Sequence, residues 1–218
     1  MVLNAGHRTP EGARALDQLC GDYWYPLYAV SRRRGNDAHA AEDLVQGFFA
    51  RLLEREDIAR ADPARGRFRG YLRTSFENYM RNEHAARTAA KRGGGRPHIP
   101  LDAEQRYALE PADGDDPAAL FDRAWAHSLL RSTLGRLRAE YAVRDKEGLF
   151  DALKAGLAGG GPPYAEVAAD LGMTEGAVKV AAHRLRQRYR EALRTAVAET
   201  VESETEIEDE IQALFRVL

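Results

Sequence analysis

The segment Pro162–Leu193 constrains the fold more than any other part of the chain, because it contains two amphipathic helical patterns separated by a tight break. Val167, Ala168 and Leu171 are apolar at helical spacing, and charged residues lie between them. Gly172 follows directly, and glycine readily adopts the left-handed backbone conformation found just past the end of a helix. The pattern therefore predicts a helix that ends at this glycine and a second helix that begins shortly after it.

The second helix predicted in this segment has one apolar face and one basic face. Thr174 can cap its first turn, where the acidic Glu175 interacts favourably with the helix dipole. At 3.6 residues per turn the apolar face comprises Val178, Ala181, Ala182, Leu185 and Tyr189. The basic side carries Lys179, His183, Arg186 and Arg190, flanked by Arg184 and Arg188. Five Lys or Arg against two Glu in residues 174–193 provide the positive charge that contacts with nucleic-acid phosphates require.

Together the two helices predict a helix-turn-helix, whose second helix typically lies in the major groove of DNA. The spacing of Ala168, Gly172 and Val178, the short turn and the basic face all favour this interpretation. The alternative is a solvated helix hairpin, because amphipathic helix pairs are common in helical domains.

Helical patterns also dominate the rest of the chain. Residues 41–53 place apolar side chains at the spacing expected of a buried helix face. Clusters of glycine and proline at 91–100 and 156–163 interrupt the helices. We therefore predict an all-α fold of two small helical domains joined by a flexible linker, the second containing the helix-turn-helix. The predicted boundaries are 8–92 for the first domain, 93–116 for the linker, 117–196 for the second domain and 197–218 for an acidic amphipathic C-terminal extension.

Charge is distributed unevenly along the chain, although the formal net charge is only −2. Residues 65–96 contain nine Lys or Arg and two Glu, whereas residues 100–122 and 199–218 each contain seven acidic residues and one Arg. Such asymmetry can accompany nucleic-acid binding. The single cysteine, Cys20, excludes an intramolecular disulfide and suits a reducing compartment. Since no apolar stretch has the length of a membrane span or the character of a signal peptide, we expect a cytoplasmic protein that does not associate with membranes.

Three segments resemble parts of bacterial sigma factors, the subunits that direct RNA polymerase to promoters. The sequence Ala41-Glu-Asp-Leu-Val-Gln46, followed by two phenylalanines and Arg51-Leu-Leu53, resembles the signature helix of sigma region 2. Phe68-Arg-Gly-Tyr-Leu72, followed by Asn78, resembles the next helix of that region, which reads and melts the −10 promoter element. The segment 164–190 resembles region 4, which binds the −35 element. Two such modules with a variable linker are similar to the compact extracytoplasmic-function class.

The resemblance implies which residues contact each partner. Docking to the clamp helices of the polymerase β′ subunit is implied for Glu42, Asp43 and Gln46. Contact with the −10 element is implied for Arg65, Arg67, Arg69, Arg73, Asn78 and Arg81. Contact with the −35 element is implied for Thr174, Glu175, Lys179, His183, Arg184, Arg186 and Arg188. The mixture of arginine and aromatic residues in 65–92 also suits single-stranded DNA, whose backbone attracts cations and whose bases stack on rings. The alternatives are that the acidic residues are merely solvated and that the aromatic residues belong to the core.

The sequence departs from the family pattern at several positions. Ala177-Val-Lys-Val-Ala181 stands where the family commonly has Thr-Val-Lys-Ser-Arg, so three polar contacts with the −35 element are absent. Gly47 replaces an acidic residue that often follows the glutamine, and Asn82 stands where aspartate is usual. Residues 137–163 form a longer connection than is customary.

The extension at 197–218 is not part of the minimal family pattern. Its apolar residues recur near helical spacing among acidic ones, which indicates a helix that covers another surface. We expect it to dock on one of the two domains and to regulate access to polymerase or DNA. The alternative is that it completes the core of the region-4 domain.

No catalytic constellation, metal site or cofactor is expected. Neither glycine cluster ends in the Gly-Lys-Ser/Thr of a phosphate-binding loop, and one cysteine with scattered histidines provides no zinc framework. The sequence therefore indicates a non-enzymatic alternative sigma factor. Its implied partners are core RNA polymerase (the β′ and β subunits), promoter DNA and an anti-sigma factor or another regulator. Two alternatives stay open, a stand-alone helix-turn-helix transcriptional regulator and a sigma-like interaction protein that sequesters partners without initiating transcription.

Overall fold

The computed structural model describes residues 10–54, 68–89, 103–108, 116–201 and 203–218. Within these ranges all regular structure is helical, which confirms the predicted all-α fold. The α-helices are α1 Pro10–Arg33, α2 Ala38–Glu54, α3 Phe68–Ala89, α4 Ala103–Ala108, α5 Pro117–Ala142, α6 Glu147–Leu153, α7 Tyr164–Asp170, α8 Glu175–Ala198 and α9 Glu204–Arg216. A 3₁₀ helix, Lys154–Ala158, follows α6. None of the described helices has both the length and the apolar character that a membrane crossing needs.

The chain divides into two compact units. The first unit comprises Met1–Ser128 together with Val197–Leu218, and the second comprises Leu129–Ala196. This division differs from the predicted boundaries, because the first half of α5 and the C-terminal extension both belong to the first unit. The extension is therefore grouped with the first unit, whereas the sequence left open that it completes the core of the second.

Aromatic side chains from separate segments form the core of the first unit. The ring of Tyr23 on α1 lies 5.7 Å from that of Phe68 at the start of α3. It also stacks on Phe121 and Trp125 of α5, with ring centroids 6.4 and 6.5 Å away. Farther along, Phe48 of α2 packs edge-on at 5.2 Å against Phe76 of α3. Such pairs stabilise by about 0.5–1.5 kcal/mol beyond the burial of their area, so they fix α3 against both α1 and α2.

The predicted flexible linker, 93–116, is described only at 103–108 and 116. The described part includes the short helix α4, which packs against α1. Arg106 lies over the ring of Tyr25 at 3.5 Å, and Arg32 lies over Tyr107 at 4.8 Å. This part of the linker is therefore anchored on the first unit by cation–π contacts.

The turn between α7 and α8 in the second unit has the geometry that the sequence predicts. Gly172 adopts a positive φ of 62°, and the amide of Met173 donates to the carbonyl of Ala168 at 2.9 Å, which closes a Schellman turn. The hydroxyl of Thr174 accepts the amide of Ala177 at 3.2 Å and caps α8. The predicted apolar face of α8 is also confirmed, since it joins a cluster that contains Leu137, Phe150, Leu153, Val167, Ala168, Val178, Ala182 and Leu185.

Candidate functional site

Only two of the three residues predicted to dock on polymerase are accessible on the surface of α2. Asp43 is exposed and Gln46 is half-buried, whereas Glu42 is only 4% exposed. Glu42 lies inward because it shares the face of α2 that also carries the buried Val45 and Phe49. A partner could therefore reach Asp43 and Gln46, and the assignment of Glu42 to this surface is corrected.

The packing of α2 against α3 explains why a glycine, Gly47, follows Gln46. A Cβ atom added to Gly47 would overlap the hydroxyl oxygen of Tyr79 on α3. The Tyr79 ring packs at 5.7 Å against Phe48 and lies under the guanidinium of Arg51, also at 5.7 Å. The departure from the family pattern at this position thus allows a tyrosine of α3 to approach the backbone of α2.

The residues predicted to contact the −10 element occupy different environments. Arg65 and Arg67 lie outside the described residues. Asn78 and Arg81 are exposed on α3, where the Arg81 guanidinium donates to the side-chain carbonyl of Asn78. Arg73 is half-buried at the edge of the same exposed side. Three of the predicted residues therefore line an accessible surface of α3.

An open hollow of about 180 Å³ lies beside Asn78, between α2 and α3. Its walls are formed by Phe48, Arg51, Leu52, Tyr71, Ser75, Asn78, Tyr79 and Asn82. Rings, a guanidinium and two side-chain amides together can stack against a nucleobase and form hydrogen bonds with its edge. The sequence analysis did not assign Arg51, Ser75 or Asn82 to this surface, because their proximity depends on how α2 packs against α3.

Arg69 does not lie on this surface, which corrects its assignment as a DNA contact. It is only 9% exposed, and its Nε atom lies 3.2 Å from Oε1 of Glu210 on α9 and 3.7 Å from Oδ1 of Asp122 on α5. Its guanidinium also lies over the ring of Trp125 at 4.8 Å. The charge of Arg69 is thus neutralised inside the first unit, where a phosphate would have to displace two carboxylates.

Glu210 is the most deeply buried acidic side chain of α9, at 1% exposure. The apolar residues Ile207 and Leu214, one turn to either side, are also buried. Burial raises the pKa of the Tyr23 hydroxyl well above its ordinary range, and the carboxylates of Asp22 and Glu210 raise it further. This phenol therefore stays protonated, and α9 is part of the electrostatics of the first unit's core.

In the second unit, several of the residues predicted to contact the −35 element already have partners within the unit. The Lys179 amine lies 2.7 Å from Glu175, and this hydrogen bond raises the pKa of Lys179. Both Nε and Nη2 of Arg188 donate to the Glu140 carboxylate at 3.1 Å. The Thr174 hydroxyl caps the helix, as described above.

The remaining predicted cations of α8 differ in exposure. His183 and Arg184 are exposed, whereas Arg186 is half-buried and donates to the hydroxyl of Tyr164 on α7. Arg184 and the half-exposed Val180 line an open groove of about 690 Å³ between α5 and α8, which also includes Arg188. Within this unit the exposed side of α8 thus presents both apolar and cationic groups.

Among the described residues, no group of three or more His, Cys, Asp or Glu side chains is arranged to hold a metal ion.

Comparison with known proteins identifies the segment that carries the exposed side of α2 and α3. Residues 23–90 match the family model described as Sigma-70 region 2. No curated protein and no solved structure matches the chain. The matched segment includes Asp43, Gln46, Asn78 and Arg81, and its family has a role in RNA polymerase binding and promoter melting.

Proposed function

Because the chain belongs to the sigma-70 family of sigma factors, we propose that it is an alternative sigma factor of the extracytoplasmic-function class. It binds core RNA polymerase in the cytoplasm, recognises a promoter, melts the DNA and directs initiation. It is not itself an enzyme and needs no cofactor, because nucleotide polymerisation belongs to the partner. The observation that carries this proposal is the match of residues 23–90 to sigma region 2, within which polar and cationic side chains remain exposed on α2 and α3.

Polymerase docking is assigned to the exposed carboxylate of Asp43 and the neighbouring amide of Gln46. The two side chains lie three residues apart on α2 and are therefore adjacent on its surface. An acidic and amide surface complements basic side chains, and the family resemblance makes the partner the clamp helices of the β′ subunit.

The −10 element is assigned to Arg73, Asn78 and Arg81 and to the hollow beside Asn78. Melting requires that unstacked bases be held, because extruding a base from the duplex costs a few kcal/mol. Tyr71 and the side-chain amides of Asn78 and Asn82 in the hollow can provide stacking and hydrogen bonds to such a base.

The −35 element is assigned to the second unit, acting as a helix-turn-helix. The Schellman turn at Gly172 and the cap at Thr174 support this assignment, since they produce the short, sharp connection that the motif requires. His183 and Arg184 are the exposed predicted contacts. The ion pairs of Lys179 and Arg188 must open or reorient before these two cations can neutralise phosphates.

A second candidate function is that of a sigma-like interaction protein that binds polymerase without initiating transcription. Two observations favour it: the cations of α8 that are paired within the unit, and the three absent polar contacts at 177–181. A stand-alone helix-turn-helix regulator is the third candidate, but this function does not explain why residues 23–90 match sigma region 2.

Run-off transcription with purified core polymerase, with and without the full chain, distinguishes these functions. We expect initiation that depends on the chain. Polymerase binding without initiation on any promoter of a genomic library would favour the interaction protein, and no polymerase binding would favour the stand-alone regulator.

A matched pair of variants tests the docking surface. Asp43→Arg should abolish polymerase binding while the circular dichroism spectrum is unchanged. Glu54→Arg makes the same charge change on the same helix, about 16 Å farther along its axis, and should bind normally. Normal polymerase binding by a folded Asp43→Arg variant would contradict the docking assignment.

A further inference from the structure

The C-terminal helix α9 forms an ion pair with the second residue of α3. Glu210 and Arg69 are both buried, and their Oε1 and Nε atoms lie 3.2 Å apart. Ile207 and Leu214 are buried on either side of Glu210, so the helix is held by apolar packing as well as by charge. Removing one member of such a buried pair is costly, because the charge left behind loses its nearest partner; for Arg69 only the farther carboxylate of Asp122, at 3.7 Å, would remain.

The position of Arg69 gives this ion pair its significance. Arg69 lies in the first turn of α3, the helix that carries Arg73, Asn78 and Arg81 on its exposed side. Its guanidinium is fixed by three groups on two other segments, namely Glu210 of α9 and both Asp122 and Trp125 of α5. Because a helix is stiff, an anchor in its first turn restricts where the whole exposed side of α3 lies.

We propose that α9 is a positioning element for promoter melting, and that Glu210 acts through Arg69 to hold α3 in the orientation that receives the single strand. This inference rests on the proposed sigma function and assigns to the extension a supporting role. Polymerase docking through Asp43 lies on α2 and should not depend on Glu210.

The test compares two variants of α9 in the full-length chain. Glu210→Gln keeps the shape of the side chain but removes the charge that holds Arg69. Leu214→Ala removes buried apolar contacts from the same helix and leaves the ion pair in place, so it controls for general loosening of α9. Both are assayed at a temperature at which each is shown by circular dichroism to be fully folded.

Two readouts separate positioning from docking. Open-complex formation, followed by the fluorescence of 2-aminopurine placed in the −10 element, should fall on the order of tenfold for Glu210→Gln, since small misplacement of contacting groups has effects of this size or larger. The affinity for core polymerase should change less than about twofold in the same variant. Leu214→Ala should reduce melting less than Glu210→Gln does, although it removes more buried apolar contact, because it leaves the ion pair with Arg69 in place.

Each outcome bears on the inference. Equal melting defects in Glu210→Gln and Leu214→Ala would overturn it, because α9 would then act only through stability. A gain in melting or in single-strand affinity for Glu210→Gln would also overturn it and would instead make α9 an inhibitor that sequesters Arg69. If wild-type protein failed to initiate at all, the proposed function and this inference would both be wrong, whereas an active wild type with an unaffected Glu210→Gln variant would refute the inference alone.

If Glu210→Gln does not fold, Asp122→Asn perturbs the same guanidinium from the other side. Asp122 is more exposed and lies farther from Arg69, at 3.7 Å. We expect a smaller melting defect in the same direction, and unchanged melting in a folded Asp122→Asn variant would count against a role of Arg69 in positioning α3.

Discussion

Gly47 on α2 provides a sharp test of the packing between α2 and α3, because its helix propensity and its tertiary contact favour opposite outcomes. Replacing a glycine in a helix interior by alanine ordinarily stabilises a protein by about 1 kcal/mol. Here the new methyl carbon would overlap the hydroxyl oxygen of Tyr79. Both residues are half-buried, and the tyrosine ring can move aside only by giving up its contacts with Phe48 and Arg51. Since overpacking of this kind costs about 1–3 kcal/mol, we expect Gly47→Ala to destabilise the first unit by about 1 kcal/mol in net terms.

Removing the tyrosine hydroxyl should change the effect of Gly47→Ala from destabilising to stabilising. The next nearest atom to the added methyl is Cζ of Tyr79 at 3.5 Å, which is an ordinary van der Waals distance. In a Tyr79→Phe background, alanine at position 47 should therefore stabilise by up to about 1 kcal/mol. The two substitutions should be coupled by about 2 kcal/mol, which is within the range seen for residues in direct contact.

Urea unfolding followed by far-UV circular dichroism measures this coupling from the wild type, the two single variants and the double variant. Gly21→Ala serves as the control, because Gly21 lies within α1 of the same unit and an added Cβ there meets no atom within 4 Å. It should stabilise in either background. If Gly47→Ala stabilises equally with and without the Tyr79 hydroxyl, the contact has no energetic consequence and the reasoning is refuted.

Three further predictions concern stability. Thr174→Ala should destabilise the second unit by about 1 kcal/mol in urea unfolding, since it removes the hydroxyl that caps α8; no change would mean that the cap is replaced by water. Hydrogen bonds from Arg138 and Lys154 lower the pKa of Asp151 to about 2, so its stabilising effect is present above the unfolded pKa of about 4 and is lost as the pH falls towards 2. Thermal unfolding across that interval should show a weaker pH dependence for Asp151→Asn than for wild type, and identical profiles would contradict the assignment. Leu214→Ala should destabilise the first unit by about 2–5 kcal/mol, because the side chain is fully buried; a change below about 1 kcal/mol would show that α9 contributes little to that unit.

Local patterns in the sequence predict those features that depend on neighbouring residues. The end of α7 at Gly172 and the cap at Thr174 follow from the conformational freedom of glycine and from one hydroxyl, both of which act within a few residues. The apolar face of α8 follows from the helical period alone. These features are found in the structure where the sequence predicts them.

Features set by distant segments could not be predicted in this way. Nothing near Arg69 distinguishes it from the other arginines of residues 65–96, because the carboxylates that bury it come from α5 and α9. Glu42 likewise has the charge of a surface residue, and only the packing of α2 shows that it faces inward. The glycine at position 47 departs from the family pattern without an apparent cause in the sequence, and only the position of Tyr79 on α3 explains it. Charged residues are thus the least predictable part of the candidate site, since their role depends on which long-range partner reaches them.

The division of the chain has a consequence for its synthesis. Residues 197–218 belong to the first unit although they follow the whole of the second unit in the sequence. The second unit therefore emerges from the ribosome before α9, the helix that belongs to the first unit. Domains usually fold in the order in which they emerge, but here the first unit cannot be completed before the second has been made. The Arg69 guanidinium is made early but can meet the Glu210 carboxylate only after the whole second unit has been translated. A chain that stops before residue 197 thus contains every residue of the region-2 match but lacks the ion pair between Arg69 and Glu210. The first unit can therefore complete its packing only in chains that already contain the second unit.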